Sequence, residues 1–307
     1  MSFYDPSVKK RSIGLFRKND SVNIEESDNI FVLLSKILSL GAIMTRNLLG
    51  LGLTIGLTGC TIDEDGKVSV NIFSIEDDID LGLQLRDEIA ADPETYPILD
   101  PNDYPDAYSH LYDIRDTILN TGEVTYAEEF DWELYIIHDD EVLNAFCAPG
   151  GYIYVYTGLI KFLEYEDELA GIMGHEIAHA DLRHSTNQLT QAYGVGVLLE
   201  VLLGEDPGLL ADIASSLLSL SFSRTDETEA DKESVDYLCA TDYASDGTAG
   251  FFEKIEALNE FEIPEFLSTH PSSETRVEDI TNYALENGCE VTNNPNVDYQ
   301  ALIDSLP

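Results

Sequence analysis

Residues 167–184 read DELAGIMGHEIAHADLRH, and this stretch constrains the chain more than any other. Its apolar positions, Leu169, Ile172, Met173, Ile177 and Ala178, recur at helical spacing and predict a buried helix from Tyr165 to His184, with Asp167 as its cap. Two of the six histidines in the chain, His175 and His179, sit four residues apart within it. Histidines at i and i+4 on a helix point to one side, about 6 Å apart along the axis, so both imidazoles can reach one ion. Buried histidines need partners, and a metal ion is a good one. Glu176 is rotated about 100° from His175 and stands beside such an ion, not on it. A carboxylate there can take a proton from a water activated by zinc.

A catalytic zinc needs three protein ligands and one open position. The His-x-x-Gly-x-x-His continuation of one zinc-peptidase class fails here, because positions 182 and 185 are Leu182 and Ser185. His184, five residues beyond His179, lies about 140° around the helix and faces elsewhere, a structural or C-terminal residue favourable near a helix end. The remaining source is an acid on a second helix. TDETEAD offers Glu227, Glu229 and Asp231. Glu227 and Asp231 are i and i+4 and share a face, whereas Glu229 points away. One of the pair can bind metal while the other holds a histidine N–H. Spacing alone does not say which, and a solvated acidic helix is the competing reading.

Charge narrows the function classes. The 307 residues carry 59 acidic and 16 basic side chains, net −43, and from Cys60 onward the balance is 54 against 9. No basic face is available for nucleic acid or for docking on anionic lipid. So acidic a surface suits a salty, extracytoplasmic setting. The four cysteines form no Cys-x-x-Cys pair, which argues against a cysteine zinc knuckle. Cys239 and Cys289 can pair if the compartment oxidises.

The front of the chain carries an address. Residues 44–59 combine Arg46, a short apolar run and Leu57-Thr58-Gly59 before Cys60, the shape of a secretory signal ending in a lipobox. The run is shorter than the ~20 residues of a membrane span. Cys60 is then the lipidated residue, and residues 1–43 are a leader that a start at Met44 would remove. Residues 60–73 read as a polar linker, 74–290 as the main domain and 291–307 as a loose acidic tail. Within the domain, helices are expected over 74–91 and 107–120, then strands in WELYIIHDDEV and YIYVYTG on either side of a Pro-Gly-Gly break. Two apolar helices lie within 194–220.

Four segments, NAFCAPGGYIYVYTGLI, DELAGIMGHEIAHADLRHS, FSRTDETEAD and STHPSSETR, occur in an order that resembles metallopeptidase family 48, the His-Glu-x-x-His zinc peptidases that include CAAX prenyl protease 1. The resemblance runs from about Ser74 to Asn287. It implies an α+β, mainly helical, gluzincin (zincin-like) fold with a small sheet whose edge strand faces the active-site helix. It implies one zinc per chain on His175, His179 and Glu227, with Glu176 as base and with Asp231 and Arg276 supporting the ligands from behind. The late His-Pro motif makes His270 either an oxyanion stabiliser or a fourth, inhibitory ligand. Asn144, Gly151, Tyr152, Tyr154 and Tyr156 would line a cleft in which substrate pairs with the edge strand.

The expectation is therefore a zinc endopeptidase of the soluble, lipoprotein-like branch, anchored in the bacterial envelope and facing the periplasm, with the outer membrane favoured. Its partners would be unfolded or misassembled polypeptides, reached from a lipid-anchored position at the membrane. Two readings compete. One is a non-catalytic, chaperone-like module that keeps zinc for structure, against which Glu176 speaks. The other is a membrane-embedded peptidase using residues 31–59 and 194–220 as spans.

Overall fold

The computed structural model describes residues 60–62, 68–70, 72–204, 206–257, 265–273, 275–293 and 299–307. The leader 1–43 and the signal segment 44–59 lie outside the described residues. Within the stretch expected as a linker, strands β1 (Cys60–Ile62) and β2 (Val68–Val70) pair antiparallel. The alternation in KVSVNIF is the local reason for β2.

Helix α1 (Ile75–Ala91) begins at Ser74 with a reciprocal cap. Ser74 Oγ accepts from the Asp77 N–H at 3.1 Å and Asp77 returns a carboxylate oxygen to the Ser74 N–H at 2.8 Å. Helix α2 (Pro105–Leu119) opens on Pro105, whose missing N–H is not needed in a first turn. Three strands follow: β3 (Leu134–Ile137), β4 (Ala145–Ala148) and β5 (Tyr152–Tyr156). Gly150 and Gly151 turn β4 into β5 with φ of +76° and +86°, a region open to glycine.

The sheet order is β3-β5-β4, with β5 parallel to β3 and antiparallel to β4. Within NAFCAPGGYIYVYTG, the segment that resembles the family's edge strand, it is AFCA and not YIYVY that lies at an edge. β5 is the central strand, paired on both sides, and β3 and β4 are the two edges. Side chains alternate across the sheet. Ile153 and Val155 join the core that contains α2 and the metal-site helix. Tyr152, Tyr154 and Tyr156 face the other way, into a second core with α1 and the apolar helices.

Helices α3 (Thr157–Phe162) and α4 (Glu166–Asp181) come next, and α4 is the centre of the domain. Its cap is not Asp167, which is buried and accepts from the Ala244 N–H at 2.7 Å. Instead Glu168 takes the N–H groups of Glu164 and Tyr165 at 2.7 and 3.2 Å. Then follow α5 (His184–Tyr193), α6 (Val195–Leu202), α7 (Pro207–Ser216), α8 (Arg224–Cys239), α9 (Gly247–Glu256), α10 (Phe266–Thr269), α11 (Arg276–Glu286) and α12 (Tyr299–Asp304). α4 packs against α8, α9 and β4. Its crossing with α9 needs glycine on both sides. A Cβ on Gly171 would meet the Thr248 nitrogen at 2.1 Å, and one on Gly247 the Asp167 carbonyl at 2.0 Å.

The two apolar helices are packing elements. Leu198 and Val201 of α6 and Ile213 and Ala214 of α7 are buried over the tyrosine face of the sheet. No described helix is long and apolar enough to cross a membrane. A disulfide joins Cys239 to Cys289 across 50 residues of chain, with Cα atoms 5.0 Å apart. The segment read as a loose tail contains α12, which docks by burying Tyr299 and Leu302. The Tyr299 hydroxyl donates to the Ile160 carbonyl at 2.7 Å.

Candidate metal centre

Every residue of α4 from Asp167 to Asp181 is buried, so His175, Glu176 and His179 are held in a helix that cannot turn its polar groups to water. α8 crosses it. Ser223 and Asp226 cap the start of α8 reciprocally, at 3.2 and 3.0 Å, which fixes the turn that carries Glu227. His270 follows α10 directly. The segment is tied at three points: the Phe266 N–H donates to the Leu143 carbonyl at 3.1 Å, the His270 N–H to the Phe266 carbonyl at 2.7 Å and the Phe222 N–H to the Thr269 carbonyl at 3.0 Å.

These elements bring four donor atoms together. His175 Nε2 and His179 Nε2 are 3.0 Å apart. Glu227 places Oε1 3.4 Å from His179 Nε2 and Oε2 3.6 Å from His175 Nε2. His270 Nδ1 stands 3.3 Å from His175 Nε2 and 3.0 Å from Glu227 Oε1. Ligand atoms about 2 Å from one tetrahedral zinc stand about 3.3 Å from each other. With one oxygen taken from Glu227, the four ligand atoms all lie within 4.8 Å of one another and could hold one ion. The donor set of three imidazoles and a carboxylate suits zinc. All four residues are buried.

Glu176 is not one of the four. Both its carboxylate oxygens are buried without a hydrogen-bond partner among the described residues, as is His270 Nε2. Oε1 of Glu176 lies 3.4 Å from that nitrogen. Such underbonded polar atoms are costly in a dry interior unless a cation or a reactant completes them.

The surroundings set the charge states. Burial opposes ionisation of Glu227, but His270, His175 and His179 outweigh it and hold the carboxyl well below its usual range. Burial also opposes ionisation of Asp231, and Arg276 and His175 again prevail. Glu176 goes the other way: burial raises it, and the nearby histidines offset this only in part. His179 is pushed well below its usual value by burial, which keeps a neutral imidazole with a free lone pair. For His175, burial is outweighed by Asp231 and Glu227, which lift it to about 9.

Behind the four donors, Arg276 donates to both oxygens of Asp231 at 2.8 Å and pairs with Glu227 Oε2 at 2.8 Å. Its guanidinium carbon lies 4.0 Å from the centroid of the Phe252 ring. Asp231 Oδ1 lies 2.9 Å from His175 Nδ1, at an angle short of a full hydrogen bond. Thus Glu227 and Asp231, equivalent by spacing, separate in space: the first faces the donor cluster and the second lies behind His175.

Other expected site residues divide. Asn144, at the start of the edge strand, is buried with its Nδ2 unpartnered. Tyr152, Tyr154 and Tyr156 are at most 4% exposed and face the second core, so they line no cleft beside α4. Gly151 is buried against Trp132, where a Cβ would come within 2.9 Å of the indole. Cys60 belongs to β1 by its backbone.

The sequence reading missed three contributors. His184 does not face elsewhere: its Nδ1 is 3.1 Å from His179 Nδ1. Phe222 stacks on His179 with centroids 3.8 Å apart, and Phe266 on His270 at 4.2 Å. For the two phenylalanines the available signal was position: Phe222 opens FSRTDETEAD and Phe266 stands two residues before STHPSSETR.

Residues 114–284 match the profile of peptidase family M48. The chain is similar to the mitochondrial metalloendopeptidase OMA1 of Arabidopsis thaliana, with 33% identity over 153 residues, covering 50% of this chain and 31% of that protein. It is 28% identical to the metalloprotease YcaL of Escherichia coli K12 over 158 residues, 49% of this chain and 60% of YcaL. It is 28% identical to the beta-barrel assembly-enhancing protease of the same organism over 169 residues, 50% of this chain and 34% of that protein. The chain thus spans between about a third and three fifths of these curated relatives.

Proposed function

The chain belongs to peptidase family M48, and from that membership we propose that it is a zinc-dependent endopeptidase of the bacterial envelope, acting on unfolded or misassembled polypeptides. The observation that carries the reading is the donor cluster of His175, His179 and Glu227 with an underbonded Glu176 beside it. When bound, zinc polarises a scissile carbonyl and acidifies water. Glu176 takes the proton of the attacking water and delivers it to the leaving amine. Its raised affinity for a proton suits a group that must both accept and release one. His270 would add a fourth ligand to a bound ion, and that arrangement would be a resting, inactive form.

Substrate is held by β-augmentation on β4. The Asn144 carbonyl accepts from the Tyr156 N–H at 3.1 Å, so the backbone groups of Ala145 and Cys147 point to the outer edge. Of these, the Ala145 N–H already bonds Asn144 Oδ1 and the Cys147 carbonyl accepts from Ser185. The unpartnered Asn144 Nδ2 is the side-chain donor for an incoming carbonyl.

Metal analysis with casein cleavage tests the reading. One zinc per chain is expected, with cleavage lost on chelation and restored by zinc. Glu227→Ala should lower zinc affinity at least ~100-fold. Zinc retained by Glu227→Ala, or cleavage indifferent to chelation, overturns the assignment.

The envelope setting is supported by the disulfide, which persists where the compartment oxidises, and by the name of one Escherichia coli relative, the beta-barrel assembly-enhancing protease. Anchoring through Cys60 has its own test: Cys60→Ala should abolish fatty-acid labelling in cells, and undiminished labelling rejects the lipobox.

A further inference from the structure

α4 ends at Asp181, and the chain does not carry on along its axis. Arg183 takes φ +61°, a left-handed conformation, and His184 opens α5. The turn is fastened from outside the metal centre. Arg183 Nη2 donates to the carbonyls of Phe73 and Ser74 at 2.7 and 3.0 Å, and its Nε pairs with buried Asp78. Thr186 donates to the same carboxylate at 2.9 Å.

The result is a file of side chains behind His179. His184 is 5% exposed. Its Nδ1 lies 3.1 Å from His179 Nδ1, and its Nε2 lies 3.2 Å from Glu229 Oε2 and 3.9 Å from Asp226 Oδ1. Two imidazole nitrogens at that distance must divide the roles of donor and acceptor. His179 Nε2 faces His175 and Glu227. If that nitrogen offers its lone pair to a metal, the single proton of a neutral His179 sits on Nδ1. It is then donated to His184 Nδ1. This puts the proton of His184 on Nε2, directed at Glu229. One tautomer assignment satisfies every atom in the file.

We infer that His184 and Glu229 are positioning residues for His179: they fix the tautomer and ring orientation that offer Nε2 to the metal. The inference rests on the metal-centre reading above. It gives α8 three tasks within little more than one turn: Glu227 faces the donor cluster, Asp231 stands behind His175 and Glu229 acts through His184 on His179.

The test is zinc affinity by chelator competition on the full chain, with unfolding of the zinc-free forms measured alongside. His184→Phe keeps the ring and removes the acceptor, and should weaken zinc binding ~10- to 100-fold. His184→Asn, whose side-chain carbonyl can accept from His179, should recover most of that loss. Glu229→Ala should weaken binding several-fold with zinc-free stability unchanged, since its side chain is 38% exposed. A merely structural role predicts a shift in zinc-free unfolding with affinity intact. Affinity within twofold of wild type in both His184→Phe and Glu229→Ala overturns the inference. If His184→Phe fails to fold, Glu229→Ala decides by itself. Two zinc ions on wild type, one of them lost in Glu229→Ala, would make His184, Asp226 and Glu229 ligands in their own right and also overturn it. His175→Asn serves as control. Zinc kept in that variant sinks the metal centre itself, whereas zinc lost there and unchanged in Glu229→Ala sinks only the positioning role.

Discussion

Glu176→Gln is expected to lower casein cleavage about 1,000-fold while leaving one zinc bound per chain. The substitution keeps size and shape in a site where Glu176 is 1% exposed, so packing is undisturbed. It removes the negative charge and with it the ability to accept and return a proton. Glu176 stands outside the four donor atoms, so zinc content should stay within twofold of wild type. The paired readout separates causes. Lost cleavage with lost zinc would make Glu176 part of the coordination shell. Cleavage equal to wild type would remove it from the mechanism. A non-catalytic module predicts that wild type and variant are equally inactive at equal zinc content.

Much of this centre was legible in the sequence because its chemistry is local. His175, Glu176 and His179 lie within two turns of one helix, and helical geometry alone relates them. The reciprocal caps at Ser74 and Ser223 are likewise short-range. What escaped depends on distant chain. Tyr152, Tyr154 and Tyr156 alternate with Ile153 and Val155, but both faces of β5 are buried, and alternation says nothing of which strands flank it. Its central place required the parallel partner β3, reached through the β4 hairpin. His184 was misplaced because the helix was taken to continue. The break occurs at Arg183, a residue with no preference for φ above zero, held there by contacts to Phe73 and Ser74 more than a hundred positions earlier. The choice between Glu227 and Asp231 was a tie by periodicity, and Arg276 explains part of how it breaks. Its fork engages both oxygens of Asp231 and leaves Glu227 Oε1 to the histidines. The tail was misread because six residues of helix have little signal until Tyr299 and Leu302 find the core.

His270→Ala is expected to raise cleavage, by about tenfold, and the sign matters more than the size. His270 has two possible duties that predict opposite results. As an oxyanion donor its loss would lower the rate ~100- to 1,000-fold. As a fourth ligand its loss would free the position that water and substrate need. The geometry favours the second. His270 Nδ1 lies among the metal-facing atoms, 3.0 Å from Glu227 Oε1 and 3.3 Å from His175 Nε2, and the residue is fully buried. A donor waiting for a substrate oxygen would point into open space. The ring is also clamped, stacked on Phe266 at 4.2 Å, while Phe222 covers His179 at 3.8 Å. Phe266 in turn bonds the Leu143 carbonyl. One segment therefore both places His270 beside His175, His179 and Glu227 and bonds the residue two before β4. Removing the imidazole deletes a ring stack and would delete one of four ligands, leaving His175, His179 and Glu227, so zinc affinity should fall less than ~10-fold. If the closed form outweighs the open one by about ten to one, a bias of ~1.4 kcal/mol, its release yields the tenfold gain. A fall in cleavage with zinc retained would return His270 to the oxyanion role and leave the resting state of the enzyme to another residue.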